Sequence, residues 1–174
     1  VGVIDVSNFS KHEISGAGSA QWLDRIIANN VPKEIGRSCL TPMLGVRGGI
    51  AGDFTVTKLD EDRFYMVGSG MAERYHQRFF QMVERPDSVS MTSLTNAYTG
   101  FNVAGPKSRE LLSRLTNADL SNDEFRFMRS RQLTIGGIEA IVIRVSFTGD
   151  LGYEVYVPEA RQLELYDKIF EAGA

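Results

Sequence analysis

The sequence has little of what disulfide-stabilised and metal-binding proteins need. Its single cysteine, Cys39, excludes an internal disulfide and fits a reducing compartment. Its only two histidines, His12 and His76, are far apart in the chain, and no cysteine or carboxylate cluster surrounds either of them at the spacing of zinc ligands. We therefore expect no metal site, and we expect His76, in a helical segment, to lie at the surface.

Long apolar segments and an excess of positive charge are also missing. No apolar run approaches the roughly 20 residues that cross a bilayer, and no part of the chain reads as a signal peptide. The 19 basic residues are outnumbered by 22 acidic ones, which gives a net charge of −3. Proteins that bind nucleic acids present a basic face. Neither a membrane nor a nucleic acid is therefore expected as a partner.

Motifs of several common enzyme classes are absent as well. No serine has the G-x-S-x-G setting of serine hydrolases. Gly16 and Gly18 lack the third glycine of a dinucleotide-binding loop, and Gly105-Pro106 lacks the lysine spacing of a phosphate-binding loop. Cys39 has no neighbouring base that would activate it as a nucleophile.

What remains is a chain of ordinary globular composition. Its 174 residues, 43% of them apolar, suit one domain or two small lobes with a hydrophobic core. The chain opens without an initiator methionine on the strand-like run Val1–Val6 and stops directly after a helix-like segment. We interpret residues 1–174 as a piece of a longer protein, incomplete at both ends.

The order of strand-like and helix-like segments indicates the fold class. Strands come in pairs separated by helices rather than in strict strand–helix–strand alternation, which favours α+β with antiparallel sheets. We expect two lobes, approximately 1–90 and 91–174, each an antiparallel sheet with packed helices. In the helix that Gly68-Ser69-Gly70 opens, helical spacing predicts a buried stripe of Met71, Tyr75, Phe79 and Met82 or Val83.

One candidate site is the stretch Gly48–Val56, in which a glycine-rich turn leads into a predicted strand. Asp53 appears where that strand begins. Taken alone, Asp53 is explained as a turn aspartate that accepts backbone N–H groups. A catalytic carboxylate is the alternative.

The other candidate site is Ser146–Pro158, which follows a buried-looking strand. Glu154 interrupts an otherwise apolar and aromatic run there. Burying an unpaired charge is costly, so this carboxylate needs a partner. The partner is either a ligand or, in the simpler alternative, an arginine such as Arg144 beside an edge strand.

Four motifs in this order resemble the folate-binding aminomethyltransferase family, of which the glycine-cleavage T-protein is the best known member. The same module forms the C-terminal half of dimethylglycine and sarcosine dehydrogenases. Residues 115–127, with Leu165-Tyr166-Asp167, resemble the dehydrogenase branch more than T-protein. The four motifs cover nearly the whole chain and are Val3–Ser7, Gly48–Val56, Gly105-Pro106 and Thr148–Glu154.

The resemblance implies a tetrahydrofolate pocket between the two lobes. Asp53 matches the family aspartate beside the reactive folate nitrogens, where it would act as a general base or stabilise developing positive charge. Glu154 matches the glutamate that binds the pterin edge, and Met43 matches a methionine that lines the pterin.

Three further positions follow from the same resemblance. Leu40 and Phe147 stand where family members often have tyrosine, and Asp150 replaces a glutamate of the same motif. The two lost hydroxyls remove polar contacts at these positions and leave apolar packing. Thr55 falls on the strand that would line the pocket.

The function that the resemblance implies is tetrahydrofolate-dependent one-carbon transfer. The domain would capture a methylene unit from an iminium derived from an N-methylated glycine and give 5,10-methylenetetrahydrofolate. FAD would belong only to an upstream domain of the same full-length chain, and a barrel domain would follow downstream. The expected location is the bacterial cytoplasm, or the mitochondrial matrix in a eukaryote. A free-standing T-protein and a non-catalytic folate-binding module are the alternatives.

Overall fold

The computed structural model describes all 174 residues, which divide into two compact units. The N-unit is Asn8–Thr95, and the C-unit is Val1–Ser7 together with Asn96–Ala174. Unlike the expected lobes, approximately 1–90 and 91–174, these units divide between residues 95 and 96, and residues 1–7 belong with the second half of the chain. Their strand pairs with a strand of that half, and strand pairing between distant segments is not readable from local sequence.

The elements alternate much as the sequence predicts. In chain order they are β1 (Gly2–Asp5), β2 (Ser10–Ser15), α1 (Ser19–Asp24), β3 (Ser38–Leu44), β4 (Ile50–Asp60), β5 (Arg63–Gly68), α2 (Glu73–Met82), β6 (Ser90–Ser93), β7 (Tyr98–Ala104), α3 (Ser108–Ser113), β8 (Arg129–Ile135), β9 (Ile138–Arg144), β10 (Gly152–Pro158) and α4 (Gln162–Gly173). The N-unit holds β2 to β6 with α1 and α2, and the C-unit holds β1 and β7 to β10 with α3 and α4.

The N-unit is built on a five-stranded antiparallel sheet in the order β3-β4-β5-β2-β6. Because side chains alternate along a strand, Phe54 and Val56 of β4 point to one face. They share a core there with Trp22 of α1 and Phe80 of α2. Both N-unit helices therefore cover this face, and the opposite face of the sheet carries no helix of the unit.

The C-unit repeats this plan with the strand order β1-β7-β10-β9-β8, again antiparallel throughout. Tyr153 and Val155 of β10 share a core with Leu112 of α3 and Leu165 of α4. Glu154 points to the other face of the sheet by the same alternation. The expected class, α+β with two helix-covered antiparallel sheets, is confirmed.

The buried face of α2 differs from the predicted stripe. Met71, before the helix, is fully exposed, and Met82 is 74% exposed, whereas His76 is only 2% exposed. The His76 and Phe54 rings pack in an edge-to-face arrangement, with ring centroids 4.8 Å apart. Gly52 leaves space for it, since a Cβ there would lie 2.9 Å from His76 Nε2. The expectation that His76 lies at the surface was therefore wrong.

The two buried histidines make the N-unit sensitive to acid. Burial lowers the pKa of His76, and it lowers the pKa of His12 despite the opposing charge of Glu73, whose Oε1 is 3.9 Å from His12 Nε2. The unfolded chain then binds protons that the folded chain does not, so stability is present above the unfolded pKa of about 6.5 and is lost as pH falls towards the folded values.

We expect the urea midpoint of unfolding to fall between pH 7.5 and pH 5.5. Each histidine contributes at most about 1.4 kcal/mol per pH unit while only the unfolded chain binds its proton. The double variant His12→Leu/His76→Leu serves as the comparison, because its midpoint lacks this contribution. Parallel pH profiles for the two proteins would contradict the prediction.

None of the helices combines the length and apolar character that crossing a bilayer requires.

Candidate functional site

Glu154 lies in the middle strand of the C-unit sheet. Its strand, β10, pairs with β7 on one side and β9 on the other, which places Glu154 between Asn102 and Ile143. The edge-strand alternative is therefore wrong. Arg144 is not the partner of Glu154 either, because its Nη1 donates to the backbone carbonyl of Phe125.

The carboxylate of Glu154 is buried and is held by a tyrosine. The side chain is 6% exposed, and the hydroxyl of Tyr156 donates to Oε2 at 2.8 Å. Burial raises the pKa of Glu154, and the hydrogen bond from Tyr156 opposes that rise. The site is a desolvated carboxylate with acceptor positions beyond the one that Tyr156 occupies.

The Tyr156 ring occupies space that a glycine on the neighbouring strand leaves free. Gly100 of β7 pairs directly with Tyr156, and a Cβ at Gly100 would lie 2.6 Å from the tyrosine ring carbons Cδ1 and Cε1. The ring therefore lies against the bare backbone of Gly100. This contact directs the hydroxyl along the strand towards Glu154.

Replacing Gly100 with alanine is expected to displace the Tyr156 ring and lengthen its bond to Glu154. Overpacking of this kind costs about 1–3 kcal/mol of unfolding free energy, measurable by urea titration. Losing the donor would also raise the pKa of Glu154 further, which carboxyl NMR titration detects. Gly2→Ala on β1 is the control, because its added Cβ meets only one atom, at 4.0 Å. Equal stability of the two variants would contradict the argument.

Asp53 lies inside a strand of the N-unit rather than in a turn. The preceding turn is closed by backbone bonds, from Gly45 N to Gly49 O and from Gly48 N to Gly45 O, both 2.8 Å. Asp53 is exposed within β4, where it pairs with Pro42 of β3. The turn-aspartate alternative is therefore wrong. The carboxylate stands on the face of the sheet that the N-unit helices leave uncovered.

Two of the other predicted residues share that face with Asp53, and one does not. Leu40 and Thr55 pair directly across β3 and β4, two residues along the strand from Asp53, and Leu40 is 53% exposed. Met43 pairs with Gly52 instead and is 3% exposed within the N-unit core. The structure thus brings Asp53, Leu40 and Thr55 together and places Met43 on the opposite face.

Phe147 belongs to the C-unit and lies in the segment that connects β9 to β10, outside the strand that carries Glu154. Its side chain is 69% exposed. An exposed aromatic ring on a connecting segment is available to pack against a planar ligand. Its role as a packing surface stays a prediction.

Sequence reasoning missed two residues beside Glu154. Tyr156 follows it by two positions, so both side chains are on one face of β10, and that spacing was a usable signal. Asn102 is fully buried on β7, directly opposite Glu154. It could have been noticed as an amide within the apolar run from Phe101 to Ala104.

The two carboxylates offer different chemistry, each within its own unit. Glu154 is a buried acceptor suited to a ligand that presents adjacent N–H donors. Asp53 is an exposed acceptor suited to receiving a proton or stabilising positive charge. No group of three or more His, Cys, Asp or Glu side chains is arranged to hold a metal ion.

Comparison with known proteins identifies a family whose profile matches this chain. The profile of the GCVT N-terminal domain family matches residues 1–174. Dimethylglycine dehydrogenase, mitochondrial, from Rattus norvegicus is 35% identical over 99% of this chain and 20% of its own length. Sarcosine oxidase subunit alpha from Corynebacterium sp. (strain P-1) is 34% identical over 99% of this chain and 19% of its own length.

A shorter relative and two solved structures share the fold. The aminomethyltransferase of Thermoanaerobacter sp. is 30% identical over 99% of this chain and 47% of its own length. The glycine cleavage system aminomethyltransferase T from Bartonella henselae has a TM-score of 0.81 at 21% identity, covering 96% of this chain and 44% of that one. Heterotetrameric sarcosine oxidase from Corynebacterium sp. U-96 has a TM-score of 0.78 at 16% identity, covering 98% and 82%. This chain spans about a fifth of the length of the first curated relatives.

Proposed function

The chain belongs to the GCVT N-terminal domain family, and from that premise we propose that it is a tetrahydrofolate-binding domain of a one-carbon transfer enzyme. The one-carbon unit is a methylene group taken from an iminium that is derived from an N-methylated glycine, and the product is 5,10-methylenetetrahydrofolate. The names of the dimethylglycine dehydrogenase and sarcosine oxidase relatives support this choice of donor.

The observation that carries the proposal is the buried carboxylate of Glu154. A pterin presents an N3–H group and a 2-amino group side by side, and one ionised carboxylate accepts from both in a bidentate pair. Glu154 is desolvated, sits on a rigid central strand and is oriented by Tyr156. These residues fit the pterin edge, so we assign Glu154 as its anchor.

Asp53 is the proposed catalytic residue. Tetrahydrofolate, when bound, supplies the nitrogen that accepts the one-carbon unit. Asp53 would take a proton as general base or stabilise positive charge that develops at the reacting centre. Its exposure within β4, without a side-chain partner that holds it in a turn, leaves the carboxylate available for this role.

The remaining predicted residues are proposed to supply apolar and shape contacts. Leu40 and Thr55 share the Asp53 face of the N-unit sheet, which supports a position beside the ligand. Phe147 would pack against a planar ring. Met43 would line the pterin, although its place in the N-unit core gives that role no independent support.

The larger context is part of the proposal. The dehydrogenase and oxidase relatives are about five times longer than the matched region, which supports further domains in the full-length protein. We propose an upstream domain that binds FAD and oxidises the amine, and a downstream barrel domain. The proposed location is the bacterial cytoplasm, or the mitochondrial matrix in a eukaryote.

A free-standing T-protein is the second candidate, and the 30% identity to an aminomethyltransferase favours it. That enzyme would take its carbon from an aminomethyl-lipoyl carrier rather than from an iminium made by a flavin domain. Assaying the full-length protein with dimethylglycine, sarcosine and the loaded carrier separates the two. Turnover with the carrier alone would overturn the dehydrogenase assignment.

Calorimetric titration with tetrahydrofolate tests the proposal most directly. We expect saturable binding by the full-length protein, and parallel titration of residues 1–174 shows how much affinity this domain supplies. A full-length protein that does not bind tetrahydrofolate would overturn the proposed function.

A further inference from the structure

Asn102 is the fully buried amide beside Glu154. Its side chain has no exposed surface, and neither Nδ2 nor Oδ1 has a hydrogen-bond partner. Buried polar groups are almost always bonded, because leaving one unpaired costs the free energy of its desolvation. An amide that stays unpaired in this position therefore calls for an acceptor or donor within reach.

Glu154 is that neighbour. The two residues are direct partners in the antiparallel pairing of β7 and β10, so their side chains lie on the same face. Opposed Cβ atoms in such a pair are about 4.5–5.5 Å apart. A change of side-chain rotamer therefore suffices to bring the amide within hydrogen-bond distance of the carboxylate, a bond that the structure does not contain. The flanking positions in this row, Ile4 of β1 and Ile143 of β9, are apolar and offer neither side chain a polar partner.

The carboxylate has room for a second donor. Tyr156 donates to Oε2, and an ionised carboxylate accepts at about four positions on its two oxygens. Two protein donors, one on each oxygen, would fix the plane of the carboxylate and leave two positions for a bidentate ligand. Tyr156 supplies one of these protein donors from within β10.

We infer that Asn102 is a positioning residue for Glu154: when a ligand with two adjacent N–H groups engages the carboxylate, Nδ2, which has no partner in this structure, donates to Oε1 as Tyr156 donates to Oε2. This inference rests on the proposed function, in which that ligand is the 2-amino-4-oxo edge of tetrahydrofolate. Asn102 acts through Glu154 and does not itself contact the reacting atoms.

Stability and tetrahydrofolate binding are expected to respond differently to a change at Asn102. Replacing Asn102 with leucine, which has a similar volume, removes a buried unpaired amide and is expected to raise the melting temperature or leave it unchanged. The same change is expected to weaken tetrahydrofolate binding by the full-length protein about tenfold, the effect of one hydrogen bond to a charged acceptor. A purely structural asparagine would not combine these two results.

Ser130→Ala is the matched control. Ser130 of β8 pairs with Ile143, stands in the same cross-strand row, is 5% exposed and has an unpartnered Oγ. It is separated from Glu154 by β9, so its removal is expected to leave tetrahydrofolate affinity unchanged. Asn102→Ala replaces the leucine variant if leucine prevents folding.

The pH profile of binding gives a second readout. In the complex, a donor to the ionised carboxylate lowers the pKa of Glu154, so losing it makes the acid limb of tetrahydrofolate binding shallower. Tyr156 is the other group that bonds this carboxylate, and the neighbouring Asn102 and Ile143 do not titrate in this range. We expect the shallower acid limb in Asn102→Leu and not in Ser130→Ala.

Unchanged affinity and an unchanged acid limb in Asn102→Leu, with normal binding by the wild type, would overturn the positioning role and leave the proposed function intact. Loss of affinity to the same degree in Ser130→Ala would overturn it as well. A wild-type full-length protein that fails to bind tetrahydrofolate would overturn both.

Discussion

Asp53→Ala in the full-length protein is expected to lower one-carbon transfer to tetrahydrofolate by about 10²–10⁴-fold, the usual contribution of a positioned general base or acid. Tetrahydrofolate affinity should fall only mildly, because the ring edge is anchored at Glu154. The expected signature is a large loss of kcat with a small change in the dissociation constant. Rapid-quench measurement of 5,10-methylenetetrahydrofolate and calorimetry on the same samples provide both quantities.

Two variants sharpen this test of Asp53. Asp53→Asn keeps the shape of the side chain and removes its charge, so it should be nearly as slow as the alanine variant. Asp62→Asn, an exposed aspartate in the turn after the same strand, should behave as wild type. If turnover survives in both Asp53 variants while tetrahydrofolate still binds, the catalytic assignment is wrong and the non-catalytic binding module becomes the better hypothesis.

Glu154→Ala is expected to have its main effect on binding. Removing a charged acceptor costs about 1–3 kcal/mol, which weakens tetrahydrofolate affinity by roughly 5- to 150-fold. The loss arises because the adjacent N–H groups of the pterin then enter a buried site without an acceptor. Calorimetry with the full-length protein measures it directly.

The isosteric variant Glu154→Gln separates charge from packing. It keeps the volume of the side chain but offers one acceptor oxygen and an amide that opposes the ligand's own N–H groups, so affinity should again fall. Glu159→Gln, an exposed residue just after β10, is the matched control. Wild-type affinity in both Glu154 variants would remove Glu154 from the binding site.

In Glu154→Gln, the free energy of unfolding should change in the opposite direction to the tetrahydrofolate affinity. Because burial raises the pKa of Glu154, the folded state holds a proton that the unfolded state releases. The resulting stability is present below the unfolded pKa of about 4.3 and is lost as pH rises through the folded value. The neutral variant lacks this loss, so near neutral pH it should be at least as stable as wild type.

Local pattern was sufficient for some features of this chain and insufficient for others. Strand pairs follow from the alternation of β-branched residues with other residues, and their turns follow from the glycines between them. Both are short-range signals. The face of α2 was misread because apolar residues occur on both sides of that helix. The space beside Gly52, which comes from a distant strand, decided that His76 rather than Met82 is buried.

By itself, the sequence determined the α+β class and the family, since the ordered motifs and the succession of strand pairs separated by helices are encoded locally. It also singled out Asp53 and Glu154 as carboxylates in unusual settings. Only the tertiary structure decided that residues 1–7 join the C-unit sheet, that β10 is its central strand, and that Tyr156 and Asn102 flank Glu154. The reason is physical: strand order, register and burial arise from pairing between segments far apart in the chain, which no local pattern specifies.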